Sequence, residues 1–513
     1  MITRDGAYVS LWQDMPVYET QRKPSSTLLY DVVIVGGGIT GISTALLLQK
    51  SGKNCLVLEA HNIGFGTSGG TTAHLNTLLD NPYTTIIKNF GTDQAKLVVQ
   101  ATREAIHLIK HHVQDYSIDC GFEEASAFLF SQDEKQSKEL DDIAKACEEV
   151  GLNLQYTSSI PSPIPFEKAI RVEEQAKFHP LKYIYALAKQ FEALGGTILQ
   201  YSRVNNTTEE DDIIEIESES STFKTKKLIY ATHIPPSINL LHLRCSPWRS
   251  YAMAVKLKDG KYPDGLLYDM YDPYHYYRTQ VVDGERYLIA GGEDHKTGHE
   301  ANTEKCFRQL ESTIRRYFDV SEIAYQWSSQ YFEPTDGLPY IGHLPGHSEN
   351  VYVATGYGGN GMTFSSVAAI VLRDLINTGE SIYADLFSPS RIKPIAGFVD
   401  FIEHNADVVK QFIGKWFATE ELDGVAGLAQ GEGKVVKYNG EVIALSKDSD
   451  GTLHAVSPVC THMKCSVAWN LAEQTWDCPC HGARYSADGK VVTGPASRDL
   501  EPIELRTLSE KEN

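Results

Sequence analysis

The glycine-rich stretch near the start of the chain restricts the fold more than any other sequence feature. Gly36-x-Gly38-x-x-Gly41 stands between an apolar strand pattern, DVVIV, and an apolar helix pattern, ISTALLLQKSG. In this position the first glycine allows a tight turn, the second lets a pyrophosphate approach the backbone, and the third lets the helix pack on the strand. The pattern predicts a βαβ unit that binds a dinucleotide phosphate at the N-terminus of its helix.

An acidic residue supports the same prediction. A second strand pattern, NCLVLEA, includes Glu59, which lies 18 residues after Gly41. A carboxylate at this point can accept hydrogen bonds from the ribose hydroxyls of a dinucleotide. The glycine motif and the acid do not distinguish NAD from FAD.

The chain is long enough for several domains, because 513 residues exceed what one hydrophobic core supports. Strand, glycine-loop and helix patterns return late in the chain, which predicts a Rossmann-like α/β domain built from separated segments around an inserted α+β substrate domain. Short strands and glycine turns then predict a C-terminal all-β domain. The predicted divisions are an irregular arm (1–29), an oxidoreductase (30–395), an amphipathic linker helix (396–420) and the all-β domain (421–513). Within the oxidoreductase, the nucleotide-binding segments lie near 30–78, 165–244 and 333–395, and the substrate segments lie near 79–164 and 245–332.

A second motif lies in the all-β domain. Cys460-x-His462 and Cys478-x-x-His481 each supply one thiolate and one imidazole. Two Cys and two His suit either zinc or a [2Fe–2S] cluster in which two His bind one iron. Zinc sites usually take two Cys from one loop and two His from another. The mixed loops therefore favour the cluster, with Cys460 and Cys478 on one iron and His462 and His481 on the other.

Charge and hydropathy exclude several partners. The net charge of −20 argues against binding nucleic acid or an anionic membrane surface. The longest apolar runs, such as AIVLRDLI at 369–376, are interrupted by charge and too short to span a bilayer. No apolar segment follows a basic start at the N-terminus, so we expect a cytoplasmic protein without a membrane span.

Three further motifs carry a family resemblance. EAHNIGFGTSGGTTAHL (59–75), LIYAT (228–232) and DGLPYIG followed by VYVATGYGGNGMT (336–363) resemble the D-amino-acid-oxidase-like FAD-dependent oxidoreductases, which include glycine and sarcosine oxidases. The resemblance implies FAD as the dinucleotide. The implied FAD-binding residues are Gly36, Gly38, Ile39, Thr40, Gly41, Glu59, Ala60, Gly66, Thr67, Ser68, Thr71, Thr72, Ala73, His74, Val204, Ala231, Thr232, Gly356, Gly358, Gly359, Asn360, Gly361 and Met362.

The chain departs from this family where the substrate binds. Members that act on amino acids usually carry an Arg just before Asp-Gly-x-Pro, whereas Phe332 and Glu333 occupy this region here. An anionic amino-acid substrate is therefore disfavoured, with Arg278 as a substitute for the missing Arg. Some relatives bind flavin covalently, and His74 lies in the corresponding loop, where a packed or hydrogen-bonded His is the favoured interpretation. The candidate catalytic residues, all in the predicted substrate domain, are Tyr276, Arg278 and His295.

The C-terminal motif carries a second resemblance. CTHMKC, CPCHGARY and GPASRDL are similar to the Rieske proteins of quinol-oxidising respiratory and photosynthetic complexes, over residues 430–505. The resemblance implies that the remaining two cysteines, Cys465 and Cys480, form a disulfide between the ligand loops. It also implies that GPASRDL (494–500) forms a flap over the cluster.

The two predicted redox groups differ in the number of electrons that they transfer at a time. A flavin accepts a hydride from a C–H bond next to nitrogen or oxygen, whereas a Rieske cluster transfers single electrons. The leading hypothesis is a dehydrogenase that oxidises the C–N bond of a small amine or N-substituted amino acid and passes electrons from FAD to the cluster, then to an acceptor protein or quinone. In the alternatives a donor feeds the cluster, which reduces FAD for a reductase or oxygenase, or the protein is a redox carrier or sensor without substrate turnover.

A residue near the cluster leads to a testable prediction. In quinol-oxidising Rieske proteins CPCHG is followed by Ser, whereas this chain has Ala483, with Tyr485 two positions later. Loss of the hydroxyl removes a hydrogen bond that stabilises the reduced, more negative cluster. We expect Ala483→Ser to raise the reduction potential in a redox titration. An unchanged potential would contradict this interpretation.

Overall fold

The computed structural model describes residues 4–391, 420–421, 428–438 and 440–505, so the predicted linker helix lies outside the described residues except at its last position. The strands in chain order are β1 (Leu29–Val35), β2 (Cys55–Leu58), β3 (His74–Leu75), β4 (Glu123–Ser131), β5 (Leu154–Thr157), β6 (Lys168–Lys177), β7 (Thr197–Leu199), β8 (Val204–Glu210), β9 (Ile213–Ser218), β10 (Thr222–Tyr230), β11 (Cys245–Leu257), β12 (Leu266–Asp269), β13 (His275–Val282), β14 (Glu285–Lys296), β15 (Val320–Pro334), β16 (Tyr340–His343), β17 (Val351–Thr355), β18 (Glu420–Glu421), β19 (Gly433–Tyr438), β20 (Glu441–Lys447), β21 (Leu453–Val456), β22 (Ala468–Asn470), β23 (Thr475–Asp477), β24 (Arg484–Ser486) and β25 (Val491–Thr493). The helices are α1 (Ile39–Lys50), α2 (Thr67–Gly70), α3 (Tyr83–Phe90), α4 (Thr92–Asp115), α5 (Glu134–Glu149), α6 (Pro180–Ala193), α7 (Thr303–Tyr317), α8 (Gly361–Thr378) and α9 (Ala384–Phe387).

The first sheet confirms the Rossmann-like prediction. Its strand order is β16-β17-β10-β1-β2-β7, and β8 and β9 extend it beside β10. The central pairings of β1 with β2 and with β10 are parallel, as are those of β2 with β7 and of β10 with β17. Helix α1 is buried along nearly its whole length, as expected for a helix that is apolar on all sides. The glycine turn of the motif therefore lies at the carboxyl edge of a central parallel strand.

The second sheet is the predicted inserted domain. Its order is β15-β11-β14-β13-β12-β4-β6-β3, with β5 paired to β6, and nearly all pairings are antiparallel. One predicted boundary moves. Residues 168–177 were expected in a nucleotide-binding segment, but β6 pairs with β4 in the second sheet. The chain therefore returns to the first sheet with α6.

The C-terminal part consists of two small sheets, β18-β19-β20-β21 and β22-β23-β24-β25. All pairings except that of β18 with β19 are antiparallel, which agrees with the predicted all-β domain. Among the described residues, no helix has the length and apolar character needed to cross a membrane.

The N-terminal arm is more ordered than the sequence suggested. Trp12 is completely buried, and its Nε1 donates a hydrogen bond of 2.6 Å to the carbonyl of Thr71. Ser10 donates to the carbonyl of Gly69 at 2.6 Å. The arm therefore packs against the loop that follows β2.

Buried charges join the C-terminal domain to the rest of the molecule. The interdomain charge cluster contains three arginines and three acids, each at most 2% exposed: Arg4, Asp5, Arg249, Glu473, Asp477 and Arg484. Arg484 contacts Asp5 at 3.2 Å and Asp477 at 3.1 Å, and Arg249 lies 3.9 Å from both Glu473 and Asp477. Because each charged side chain is removed from water, its stability in the folded protein depends on its ion-pair partners.

We expect Arg249→Met to lower the free energy of unfolding by about 3–5 kcal/mol, because it removes the positive charge between two buried acids. Urea denaturation of the holoprotein measures this change. As a control, Lys490→Met breaks a pair with Asp499 in which both side chains are largely exposed, and should cause no measurable loss. Equal effects of the two substitutions would contradict the role of the interdomain charge cluster.

Candidate functional site

A cavity of about 310 Å³ lies where the first sheet, the second sheet and the C-terminal domain meet. Its walls include the turn between β1 and α1, the end of β10, strands β13 and β14, and the loop between β17 and α8. Residues 492–497 of the C-terminal domain line the same cavity. The predicted flavin site and the predicted flap over the cluster therefore share one space.

The glycine turn has the close approach that a dinucleotide requires. Gly36 has φ +111°, and a Cβ atom there would lie 2.3 Å from the carbonyl oxygen of Ala231. A Cβ atom on Gly38 would lie 2.9 Å from Ser68 Oγ. Glu59 accepts a hydrogen bond of 2.6 Å from the amide of Gly37, so the acid lies at the turn. Only glycine leaves room here for a phosphate group.

Most of the predicted FAD-binding residues line the cavity; the three exceptions are Gly41, Ala73 and Gly356. A Cβ atom on Gly41 would lie 1.9 Å from the carbonyl oxygen of Gly36, so this glycine supports the turn from behind. Ala73 has φ +58°, and its carbonyl accepts a hydrogen bond from Arg278. Gly356 has φ +72° and packs near Cys245.

His74 lies at the cavity wall and is held by a tyrosine. Its Nδ1 lies 2.7 Å from Tyr268 Oη, which also accepts a hydrogen bond of 3.3 Å from Asn76. Burial lowers the pKa of His74 well below its usual value, which keeps the ring neutral. Nε2 is buried and has no hydrogen-bond partner among the described residues. The cavity residues thus fit FAD, whose polar groups would pair with such a nitrogen.

Of the three candidate catalytic residues, only one lines the cavity. Tyr276 lines the cavity, and its hydroxyl lies 2.9 Å from Ser250 Oγ. Arg278 is outside the cavity lining because its guanidinium binds the carbonyls of Ala73 and Phe178 and the side chain of Gln280. It supports the flavin loop and does not replace the missing substrate-binding Arg.

His295 is also absent from the cavity lining. Its ring nitrogens contact Tyr251 Oη and the carbonyl of Lys296, both at 2.9 Å. Its neighbour Asp294 lines the cavity instead, because adjacent residues of a strand point to opposite faces. Asp80 and Tyr331 also line the cavity, and sequence reasoning missed all three since none belongs to a motif. Only the strand alternation next to the AGG pattern could have indicated Asp294.

The four predicted cluster ligands converge in the C-terminal domain. Cys460 and Cys478 are buried, and the hydrogen bond between their thiols lowers the pKa of Cys460 to about 7. The rings of His462 and His481 have centroids 5.2 Å apart. Cys465 and Cys480 form the disulfide that the resemblance implies. The sulfurs of Cys465, Cys478 and Cys480 also lie within 4.8 Å of one another, but the disulfide removes two of them as ligands.

One ligand nitrogen is identified by its hydrogen bonds. His462 Nε2 lies 3.2 Å from the carbonyl oxygen of Ser237, so this nitrogen carries the proton and donates. Nδ1 then has the free electron pair, is buried, and makes no hydrogen bond within the described part of the chain. A ring nitrogen in this state fits an iron ligand, and the carbonyl fixes its tautomer.

A third histidine, His242, packs against the cluster ligands. Its ring centroid lies 4.5 Å from that of His462 and 5.6 Å from that of His481. Its Nδ1 accepts from the amide of Asn239 and its Nε2 donates to the carbonyl of Pro235. Burial lowers its pKa well below the usual value, so the ring is neutral. Sequence reasoning missed His242 because it lies more than 200 positions before the ligands it contacts.

One wall between the cavity and the cluster ligands is a short segment. Thr232, His233, Ile234 and Pro236 line the cavity, and Ser237 binds His462. On another side Gln330 lines the cavity and donates to the carbonyl of Gly482 at 2.9 Å, in the ligand loop. The two candidate cofactor sites are thus adjacent within one chain.

Tyr485 leads to a second redox prediction. Its hydroxyl lies 3.2 Å from Cys460 Sγ, and burial raises the pKa of Tyr485, so the hydroxyl stays protonated and can donate to the sulfur. We expect Tyr485→Phe to lower the reduction potential, because the reduced cluster loses a hydrogen bond of about 1 kcal/mol, or about 40 mV for one electron. Tyr438→Phe in the other small sheet is the matched control. A potential that falls equally in both variants would refute this role.

Comparisons with known proteins agree with this geometry. A family model described as FAD dependent oxidoreductase (DAO) matches residues 31–375, and one described as Rieske [2Fe-2S] domain matches residues 415–504. YhfW of Bacillus subtilis (strain 168), named as a Rieske 2Fe-2S iron-sulfur protein, is 34% identical over 477 residues, which cover 93% of each chain.

Two further relatives match the larger part. Gamma-glutamylputrescine oxidoreductase of Escherichia coli (strain K12) is 24% identical over 73% of this chain and 89% of its own. Glycine oxidase from Geobacillus kaustophilus has the same fold, with a TM-score of 0.57 at 18% identity over 71% of this chain and 100% of that one. The chain therefore belongs to the DAO family of FAD-dependent oxidoreductases and carries a C-terminal Rieske domain, so that its cofactors are FAD and a [2Fe–2S] cluster.

Proposed function

We propose that this oxidoreductase is a dehydrogenase that oxidises the C–N bond of a small amine or N-substituted amino acid and passes the electrons singly to its own Rieske cluster. FAD supplies hydride acceptance and the cluster supplies one-electron transfer. The protein's contribution is to hold both sites and to separate them from water.

The observation that carries this proposal is the shared wall between the two sites. Thr232 and His233 line the FAD cavity, and the backbone of Ser237, a few residues on, accepts the hydrogen bond from His462. A ligand of the cluster is thus hydrogen-bonded to the segment that borders the flavin. This proximity favours electron transfer between the two cofactors.

The docking of the Rieske domain supports transfer within the chain. Ser328 binds Glu473 through both its amide and its hydroxyl, at 3.0 and 2.6 Å. A Cβ atom on Gly482 would lie 2.7 Å from Pro247 Cβ, so the ligand loop is packed on β11. These contacts hold the cluster beside the cavity, and electron transfer therefore needs no domain movement.

The substrate class rests on the cavity and on relatives. Arg278 is bound to backbone carbonyls and so does not reach the cavity. Phe332, which is 2% exposed, lies in the region where amino-acid oxidases carry an Arg. The relatives named above act, by their names, on gamma-glutamylputrescine and glycine. Both names support C–N oxidation, and the missing Arg favours an amine over an amino acid.

Individual roles follow from position. We assign Cys460 and Cys478 to one iron and His462 and His481 to the other, and we assign FAD binding to the cavity residues around the glycine turn. Tyr276 is the one sequence-derived catalytic candidate that lines the cavity. The external acceptor, a protein or a quinone, and the cytoplasmic location both stay predictions.

Anaerobic addition of substrate tests the relay. An amine that bleaches the flavin absorption should then produce the EPR spectrum of the reduced cluster in the holoprotein. Cys460→Ser, which removes an iron ligand, should bleach without the EPR signal, whereas Cys306→Ser, a buried thiol of α7, should behave as wild type.

Three results would overturn the proposal. The first is a cluster that stays oxidised after substrate has bleached the flavin. The second is equally fast turnover in air by wild type and Cys460→Ser, which would show that the cluster does not carry the electrons. The third is a reductant of the cluster that bleaches the flavin while no amine does, which would reverse the direction of electron transfer.

A further inference from the structure

One end of the cavity combines two carboxylates with tyrosines. This acidic end consists of Asp80, Tyr274, Tyr276, Asp294 and Tyr331, all of which line the cavity. Tyr276 and Asp294 come from β13 and β14 and Tyr331 from β15. Three of the five residues at the acidic end thus belong to strands of the second sheet.

Asp80 is held against the predicted flavin loop. Its Oδ1 accepts a hydrogen bond of 3.1 Å from Asn360 Nδ2, and its amide donates to Asn360 Oδ1 at 3.0 Å. A Cβ atom on Gly359 would lie 1.8 Å from Asp80 Oδ2, so the carboxylate rests on the glycines of that loop. Tyr274 lies 3.5 Å from the same oxygen. The carboxylate therefore has a fixed position next to the flavin site.

The carboxyl group of Asp294 is held by hydroxyl groups. Tyr331 donates to Asp294 Oδ2 at 2.9 Å, and the Ser250 hydroxyl also interacts with the carboxyl group. Oδ1 is shielded from solvent and makes no close hydrogen bond to a described residue. Burial raises the pKa of Asp294 to about 6, and the charge of Asp80 adds to the rise. Asp80 is exposed to the cavity, and desolvation of its carboxyl group raises its pKa to about 6. A cation beside the two acids would stabilise their charged forms.

The described residues supply no such cation. Among the lining residues Arg203 is the only Lys or Arg, and it binds His61 and the carbonyl of Val491, with its charge acting on Glu59. It therefore belongs to the dinucleotide end.

A charged imidazole lies near the acidic end but is already paired. His275 contacts Asp269 and Glu293, both at 3.2 Å, and these hydrogen bonds raise its pKa to about 9 against the effect of burial. One positive charge is thus shared by two other acids, and it also acts to lower the pKa of Asp294. Asp80 and Asp294 make no ion pair of their own with a described side chain.

We propose that the acidic end is the recognition site for an organic ammonium ion, in which Asp80 and Asp294 bind the positive charge and the tyrosines cover it. Tyrosine rings attract cations through their faces, and the hydroxyls hold the carboxylates in place. The same two acids repel a carboxylate, which gives selectivity against amino acids. That this ion is the substrate rests on the proposed function; that it binds does not.

Ligand binding to the oxidised holoprotein tests the site without turnover. The probes are n-butylammonium, n-butanol and butanoate, which share a chain length and differ in charge, and the readout is the perturbation of the flavin absorption. We expect the ammonium ion to bind at least about tenfold more tightly than the other two. Asp80→Asn and Asp294→Asn should each weaken its binding about tenfold or more, the range for hydrogen bonds to charged groups, and leave butanol binding unchanged.

Asp283→Asn is the control, because this acid pairs with Lys182 at the surface and is absent from the cavity lining. Butanoate binding as tightly as butylammonium, or no flavin response to butylammonium, would overturn the proposal in the wild-type protein alone, even if the variants failed to fold. An unchanged ammonium affinity in both folded variants would also overturn it. Because no electrons move, these outcomes are separate from failure of the relay test.

Discussion

The interdomain charge cluster is the interaction on which the arrangement of the two redox sites depends. Arg249 of β11 and Arg484 of the Rieske domain share Asp477, and all three side chains are buried. Buried ion pairs return little net stability, but an unpaired member is strongly penalised, so they favour one docked position over all others. The hydrogen bond from His462 to Ser237 exists only in that position.

Local motifs were sufficient to predict the two cofactors. The glycine turn, Glu59 and the Cys and His loops each depend on backbone geometry or ligand chemistry within a few residues. The contact between the two domains was not predictable in this way, because Arg249 and Glu473 lie in different domains and meet only in the folded chain. His295 shows the same limit at short range, since the face of a strand decides that its neighbour Asp294 lines the cavity.

The charged side chains that line the cavity differ between its dinucleotide end and its acidic end. Its dinucleotide end has Arg203 beside Glu59, and its acidic end has Asp80 and Asp294, which make no ion pair with a described side chain. His74 at the cavity and His242 at the cluster ligands are neutral, because burial lowers their pKa values. One cavity can thus bind an anionic dinucleotide and, at its far end, a cation.

The wall formed by residues 492–497 has a consequence for biogenesis. These residues follow the glycine turn at Gly36 by more than 450 positions, so the turn is synthesised well before them. During synthesis the cavity therefore lacks one of its walls until the Rieske domain folds. In that interval the flavin site is open on the side that residues 492–497 later cover.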